Sequence, residues 1–168
     1  MTPFRLPLKG GCDKDTAPAD NAFVRAGGMH TMRWMGLDIG EKRIGVAVSD
    51  EDARFAFPLC VLNRSLLDDD VLHVVQLAAK QQAGGIVVGE PLDLSGRAGP
   101  AVRRVRTFAD ALRRHWSGPL EFVDERFSTA EAQRVLLAAD ASRARRRQVV
   151  DKMAAALILQ HFLEREAS

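Results

Sequence analysis

With 168 residues and 46% apolar content, the chain can bury one core and is too short for two ordinary domains. It contains no run near the roughly 18 to 20 uninterrupted apolar residues that a membrane span needs, and the first thirty residues lack the apolar centre of a secretory signal, so a cytoplasmic protein is expected. Cys12 and Cys60 lie far apart with no CxxC or Cys/His cluster, which argues against a disulfide frame or a zinc site, and a formal net charge of +2 is too small to assign a polyanionic partner by itself.

The distribution of charge says more than its sum. Of the 24 basic residues 19 are arginines, gathered at Arg103, Arg104, Arg106, Arg113 and Arg114 and again at Arg143, Arg145, Arg146 and Arg147. Arginine's planar fork suits bidentate phosphate contact, although on composition alone a solvated helix face explains such clusters equally well.

Residues 1–31 mix prolines, glycines and charges without a sustained period, and are expected to form a flexible extension ahead of a domain at 32–168. Trp34 to Ile39 and Ile44 to Ser49 are short apolar runs around Gly40-Glu41-Lys42-Arg43, the pattern of a strand hairpin. Phe55 to Val61 reads as a third strand, which Pro58 pushes to an edge. Leu66 to Gln82 has apolar residues at helical spacing and is expected to end at Gly84-Gly85. Ile86 to Gly89 is then a buried strand, the loop Pro91 to Gly99 carries breakers, and Pro100 opens a helix to about His115. Leu120 to Val123 is a further strand, Ser128 caps a helix to about Ala139, and Arg145 to Arg165 forms the last helix.

Three meander strands followed by strands alternating with helices predict a mixed five-stranded sheet, the later strands parallel to the first, with helices on both faces. In such a sheet the carboxyl ends of the parallel strands share one edge, where ligands bind. Asp38, Glu90 and Asp124-Glu125 meet that condition. Asp50 does not, because the second strand runs the other way. Asp151 stands in an otherwise apolar helical stretch, where a carboxylate is costly to desolvate unless neutralised. Two readings of it stay open: a surface ion pair with Arg147 one turn earlier, or a metal ligand brought beside Asp38. Carboxylates gathered in this way suit magnesium or manganese, and two such ions can stabilise both the attacking and the leaving oxygen of a phosphodiester.

These segments together resemble a known family. Gly36-Leu37-Asp38-Ile39-Gly40-Glu41-Lys42-Arg43-Ile44-Gly45-Val46-Ala47-Val48-Ser49-Asp50 is similar to the opening signature of the YqgF/RuvX family. Val87 to Leu92 with Gly96, Gly99 and Pro100 resembles its central glycine-rich loop, Asp124 to Thr129 its acidic strand-end motif, and Val150 to Gln160 its final helix. The match covers residues 34 to about 163. It implies a ribonuclease H-like fold and a metal-dependent endonuclease acting on structured RNA or branched DNA, by processing the 5′ end of the 16S ribosomal RNA precursor, resolving Holliday junctions, or both.

The resemblance also implies Asp38, Glu125 and Asp151 as the acids holding Mg2+ or Mn2+, two ions being expected. Position 90, usually apolar in the family, is glutamate here, an additional acid that is either a further ligand or a neighbour. Lys42, Arg43, Arg126, Arg145, Arg146 and Arg147 are the expected nucleic-acid contacts. Matched cuts in a junction require a homodimer, whereas RNA trimming does not, and no stretch of sequence marks a dimer surface. A catalytically silent nucleic-acid-binding module is the competing reading, disfavoured because all three acids are present. An actin-like ATPase would need a second copy of the domain.

Overall fold

A computed structural model describes residues 32–92, 97–125 and 143–168, with the backbone path alone for 143–149. The expected extension at 1–31 and the expected helix from Ser128 to Ala139 lie outside the described residues.

Five strands, β1 (Trp34–Ile39), β2 (Arg43–Ser49), β3 (Ala56–Asn63), β4 (Gly85–Glu90) and β5 (Leu120–Asp124), form one sheet in the order β3-β2-β1-β4-β5. β1 and β2 pair antiparallel, as do β2 and β3, whereas β1 with β4 and β4 with β5 are parallel. This is the expected mixed sheet of a ribonuclease H-like fold. Pro58 lies on the edge strand, as its missing N–H demands, and the register slips beside it: Val46 pairs with Cys60 but Ala47 with Pro58.

The helices α1 (Leu67–Lys80) and α2 (Pro100–Arg113) cover one face of the sheet, and α3 (Arg143–Glu166) covers the other. Strand alternation sorts the side chains between two cores. Met35, Leu37, Ile39, Ile44, Val46, Ile86 and Val88 meet Val71, Val74, Val105, Phe108 and Leu112 on the α1/α2 side. Ala47, Val87 and Val123 meet Ala155, Ile158, Leu159 and Phe162 on the α3 side. The Trp34 and Phe162 rings close the second core at 4.5 Å between centroids.

The two faces differ in how close the helix can come. On the α3 side β1 and β2 present Gly36 and Gly45. A Cβ at Gly36 would stand 2.7 Å from Leu159 Cβ, and one at Gly45 would overlap the backbone carbonyl of Asp151. Asp151, Ala155 and Leu159 follow one another at four-residue spacing, so the helix face that packs on these glycines carries Asp151 onto the sheet with it.

The end of α1 differs from expectation. The helix stops at Lys80, and the left-handed residue that ends it is Gln82 (φ 55°), with Ala83 N–H donating to Ala78 O at 2.9 Å. Gly84 and Gly85 serve packing: side chains there would run into Met32 and the Trp34 ring. Among the described residues no helix is long and apolar enough to cross a membrane.

Candidate active site

Asp38 leaves β1 on the α3 side, because Leu37 and Ile39 point to the other core. Val123 points to α3, so Glu125, two residues on, points there as well. Its carboxylate lies over Gly89, in space that a side chain at that position would take. Gly89 is the next residue along β4 from Val88, which pairs with Leu37, so the Glu125 carboxylate arrives beside Asp38. The third acid, Asp151, comes from the opposite layer on α3.

Burial and neighbouring charge act on Asp38 and Glu125. Asp38 is pushed up from 3.8 to about 6, first by burial and then by the charge of Asp151. Glu125 is pushed up from 4.5 to about 8, by burial, then by Asp38 and Asp124. Arg43 Nε approaches Asp151 Oδ2 to 2.7 Å. That oxygen is nonetheless buried without a hydrogen bond, since the close N–H is not aimed at it. Arg43 is thus a cation beside Asp151. It stands 108 residues away in sequence, where the local reading looked to Arg147, whose side chain lies outside the described residues.

Among the described residues, no three Asp, Glu, His or Cys side chains converge on one point closely enough to hold an ion as they stand. The donor set nevertheless fits a hard divalent cation. It is all carboxylate oxygen, its members repel one another, and it includes a buried oxygen, Asp151 Oδ2, that accepts no hydrogen bond.

Glu90 is not brought to this cluster. It lies at the expected edge but alternates with Gly89 onto the α2 face, where Oε1 is met by Arg106 Nε and Nη2, each at 2.8 Å. A groove of about 230 Å³ there is lined by Glu90, Arg106, Asp110, Arg113 and Phe122, and contains none of the three acids. Asp50 sits at the other end of the sheet and builds a turn, accepting hydrogen bonds from Arg54 N at 2.7 Å and Phe55 N at 3.0 Å. These bonds hold its carboxyl below the usual range.

Of the expected nucleic-acid contacts, Lys42 is exposed on the β1–β2 turn and Arg43 is half-buried against Asp151. The side chains of Arg126, Arg145, Arg146 and Arg147 lie outside the described residues. One residue near the site had no distinct signal in the sequence. Arg64, after β3, sends Nη1 to Gly40 O at 3.2 Å and Nε to Asp70 Oδ2 at 3.3 Å. Only its place between a strand and the Ser65 that precedes a helix set it apart from other arginines.

A mixed five-stranded sheet in the order β3-β2-β1-β4-β5, with β1, β4 and β5 parallel and helices on both faces, is the ribonuclease H-like fold. The fold of Thermus thermophilus RuvC in complex with Holliday junction substrate superposes with a TM-score of 0.52 at 15% identity, over 82% of this chain and 96% of that one. A second T. thermophilus RuvC structure gives 0.50 at 16% identity, over 81% and 97%. The sequence profile of the RuvX family, described as Holliday junction resolvase, matches residues 32–165, and the chain belongs to that family. Relatives named "Putative pre-16S rRNA nuclease" include one from Symbiobacterium thermophilum, 47% identical over 137 residues, covering 82% of this chain and 95% of the relative. Another, from Desulforudis audaxviator, is 44% identical over 137 residues, covering 82% and 97%.

Proposed function

We propose that the chain is a metal-dependent endonuclease that hydrolyses phosphodiesters in structured nucleic acid, with Asp38, Glu125 and Asp151 as its metal-holding acids. One observation carries the reading: Asp38 and Glu125 reach the same face of the sheet beside Asp151, and the charge each adds makes the next harder to ionise. Mutual repulsion of this kind is relieved by a bound divalent cation.

Mg2+ or Mn2+, two ions in the full assembly, would supply Lewis-acid stabilisation of the attacking and leaving oxygens when bound. The chain supplies the rest. Gly36 and Gly45 let α3 seat Asp151 against the sheet, and Gly89 leaves room for the Glu125 carboxylate. Lys42 is exposed on the β1–β2 turn and Arg43 meets Asp151, and both would contact the phosphates on either side of the scissile bond. Arg126, Arg145, Arg146 and Arg147 are neighbours of Glu125 and Asp151 in sequence and would extend that contact.

The relatives' name supports the 16S ribosomal RNA precursor as substrate, and the family description supports the four-way junction. Either substrate would be met in the cytoplasm, the compartment this reading assigns. Junction cleavage additionally requires a two-fold pair of sites, and hence a homodimer. The nuclease unit in this reading is 32–168, and the family profile beginning at residue 32 supports that boundary.

The test is to incubate purified protein with a labelled four-way DNA junction, a matched duplex and a structured ribosomal RNA precursor, in Mn2+ and in Mg2+. Cleavage of the RNA or the junction, abolished by Asp38→Asn with binding retained, is the expected result. Binding without cleavage in either metal would establish a silent binding module instead.

A further inference from the structure

We infer that Arg64 is a positioning residue for the nuclease reaction: it holds the β1–β2 turn, and through it Asp38 and Arg43, in working position. The inference rests on the function proposed above. The turn at residues 40–43 is tight: Gly40 N–H donates to Arg43 O at 2.9 Å, and a Cβ at Gly40 would stand 2.7 Å from the same oxygen. Two carbonyls of this turn accept hydrogen bonds from Arg64. Its backbone N–H donates to Lys42 O at 2.9 Å, and its Nη1 to Gly40 O at 3.2 Å.

Arg64 is itself fixed from behind. Its Nε donates to Asp70 Oδ2 at 3.3 Å, and Asp70 is 5% exposed, one of two buried polar residues among those described. The other Asp70 oxygen accepts Ser65 N at 2.9 Å and Ser65 Oγ at 3.0 Å, so the carboxylate is anchored at the start of α1. The guanidinium also stands 5.8 Å from the centroid of the Phe108 ring on α2. One side chain therefore ties both helices of that face to the turn.

A buried ion pair is weak evidence of stability, because desolvation offsets the attraction. What this pair does geometrically is more specific. Asp38 precedes Gly40 by two residues, and Arg43, at the other end of the turn, reaches Asp151 on the opposite face of the sheet. A shift of the turn displaces an acid and its neighbouring cation together. Arginine's fork can serve Asp70 and Gly40 O at once, whereas a lysine ammonium is a single point on a flexible stem and can satisfy one of them.

The experiment compares wild type, Arg64→Lys and Asp70→Asn by melting temperature, hydrogen exchange of the peptide spanning residues 38–44, Mn2+ titration of melting temperature, and steady-state cleavage of the structured RNA and junction. Arg64→Lys keeps a charge against Asp70 and is expected to melt close to wild type. Exchange in residues 40–43 is expected to rise, the Mn2+ concentration for half-maximal stabilisation to rise about tenfold, and kcat to fall about tenfold or more with KM for nucleic acid little changed. Asp70→Asn should move the same readouts in the same direction, and decides the matter if Arg64→Lys does not fold. Unchanged exchange, or unchanged kcat and Mn2+ response in a folded variant, overturns the inference. If wild type cleaves neither substrate, the nuclease reading fails, while the exchange and Mn2+ arms still show whether Arg64 holds the site.

Discussion

The carboxylate of Glu125 lies where a side chain at Gly89 would be, so the absence of one residue's side chain is what lets the other reach the site. A Cβ at Gly89 would also stand 2.5 Å from Ile158 Cδ1, on the far wall of the same space. Gly89→Ala should therefore fold, because both obstacles are ends of side chains that can give way. It should lose about 1–3 kcal/mol of stability to overpacking and about tenfold or more in cleavage rate as Glu125 is displaced. Chemical denaturation and single-turnover cleavage measure the two effects separately. A variant as active as wild type would remove Glu125 from the site.

The acids also set how stability responds to pH. In the folded protein Asp38 is raised to about 6 and Glu125 to about 8, above ordinary values of 3.8 and 4.5. Between roughly pH 4 and 8 the native state thus holds more protons than the unfolded chain. The stabilisation these groups give in their protonated form is complete at the acid end and is lost as pH rises through the folded values. Metal-free protein should melt at a falling temperature from pH 5 to 8.5, and Asp38→Asn should flatten that slope. Mn2+ or Mg2+ should restore stability most at the alkaline end, where the ligands are already ionised. Scanning calorimetry in chelator and in metal tests both signs.

Glu90 makes the opposite prediction. Paired with Arg106 on the α2 face, it should be replaceable by leucine with no change in the metal concentration for half-maximal cleavage. The Arg106 side chain is more than half exposed, so stability should change by about 1 kcal/mol or less. Glu125→Gln should lose most activity at any metal concentration. A shifted metal dependence in Glu90→Leu would mean that Glu90 reaches the ions after all.

The contrast between Glu90 and Glu125 shows what was legible in the sequence and what was not. Hydrophobic period and turn residues identify every described strand and helix to within a few residues, and strand direction separates the edge bearing Asp38 from the one bearing Asp50. A strand-end position, however, fixes the edge of the sheet and not its face. Glu90 follows Gly89 directly and so turns to α2, whereas Glu125 stands two beyond Val123 and turns to α3. Long-range pairings left no local trace at all: Arg43 reaches Asp151 across 108 residues, and Arg64 reaches back 24 residues to Gly40. α1 stops at Lys80, two residues short of the expected Gln82, because the glutamine itself takes the left-handed position that Gly84-Gly85 suggests for a glycine.

That glutamine carries its own test. Gln82 is exposed and held at φ 55°, a conformation that costs an L-residue about 1–2 kcal/mol and glycine almost nothing. Glycine also makes the unfolded chain more flexible, which returns part of the gain. Gln82→Gly should raise stability by about 0.5–1 kcal/mol, by denaturant titration, without altering cleavage.

The pairing of Arg43 with Asp151 gives the last prediction. Arg43 Nε is 2.7 Å from Asp151 Oδ2, yet no N–H is aimed at that oxygen. The guanidinium therefore lends charge to Asp151 while leaving the oxygen open to another partner. In the metal-free protein this charge partly offsets repulsion among the carboxylates; with an ion present, it competes for the same neighbourhood. Arg43→Gln should accordingly lower the melting temperature of the metal-free protein and lower the Mn2+ concentration needed for half-maximal stabilisation. The cleavage rate at saturating metal should fall, because a phosphate contact beside the scissile bond is lost. Arg43→Lys should keep the metal-free stability better than the rate, since an ammonium supplies charge without the fork. Thermal titration with Mn2+ and single-turnover cleavage resolve these opposed changes. Weaker Mn2+ binding in Arg43→Gln would show that Arg43 orders the ligands and does not compete with the ion.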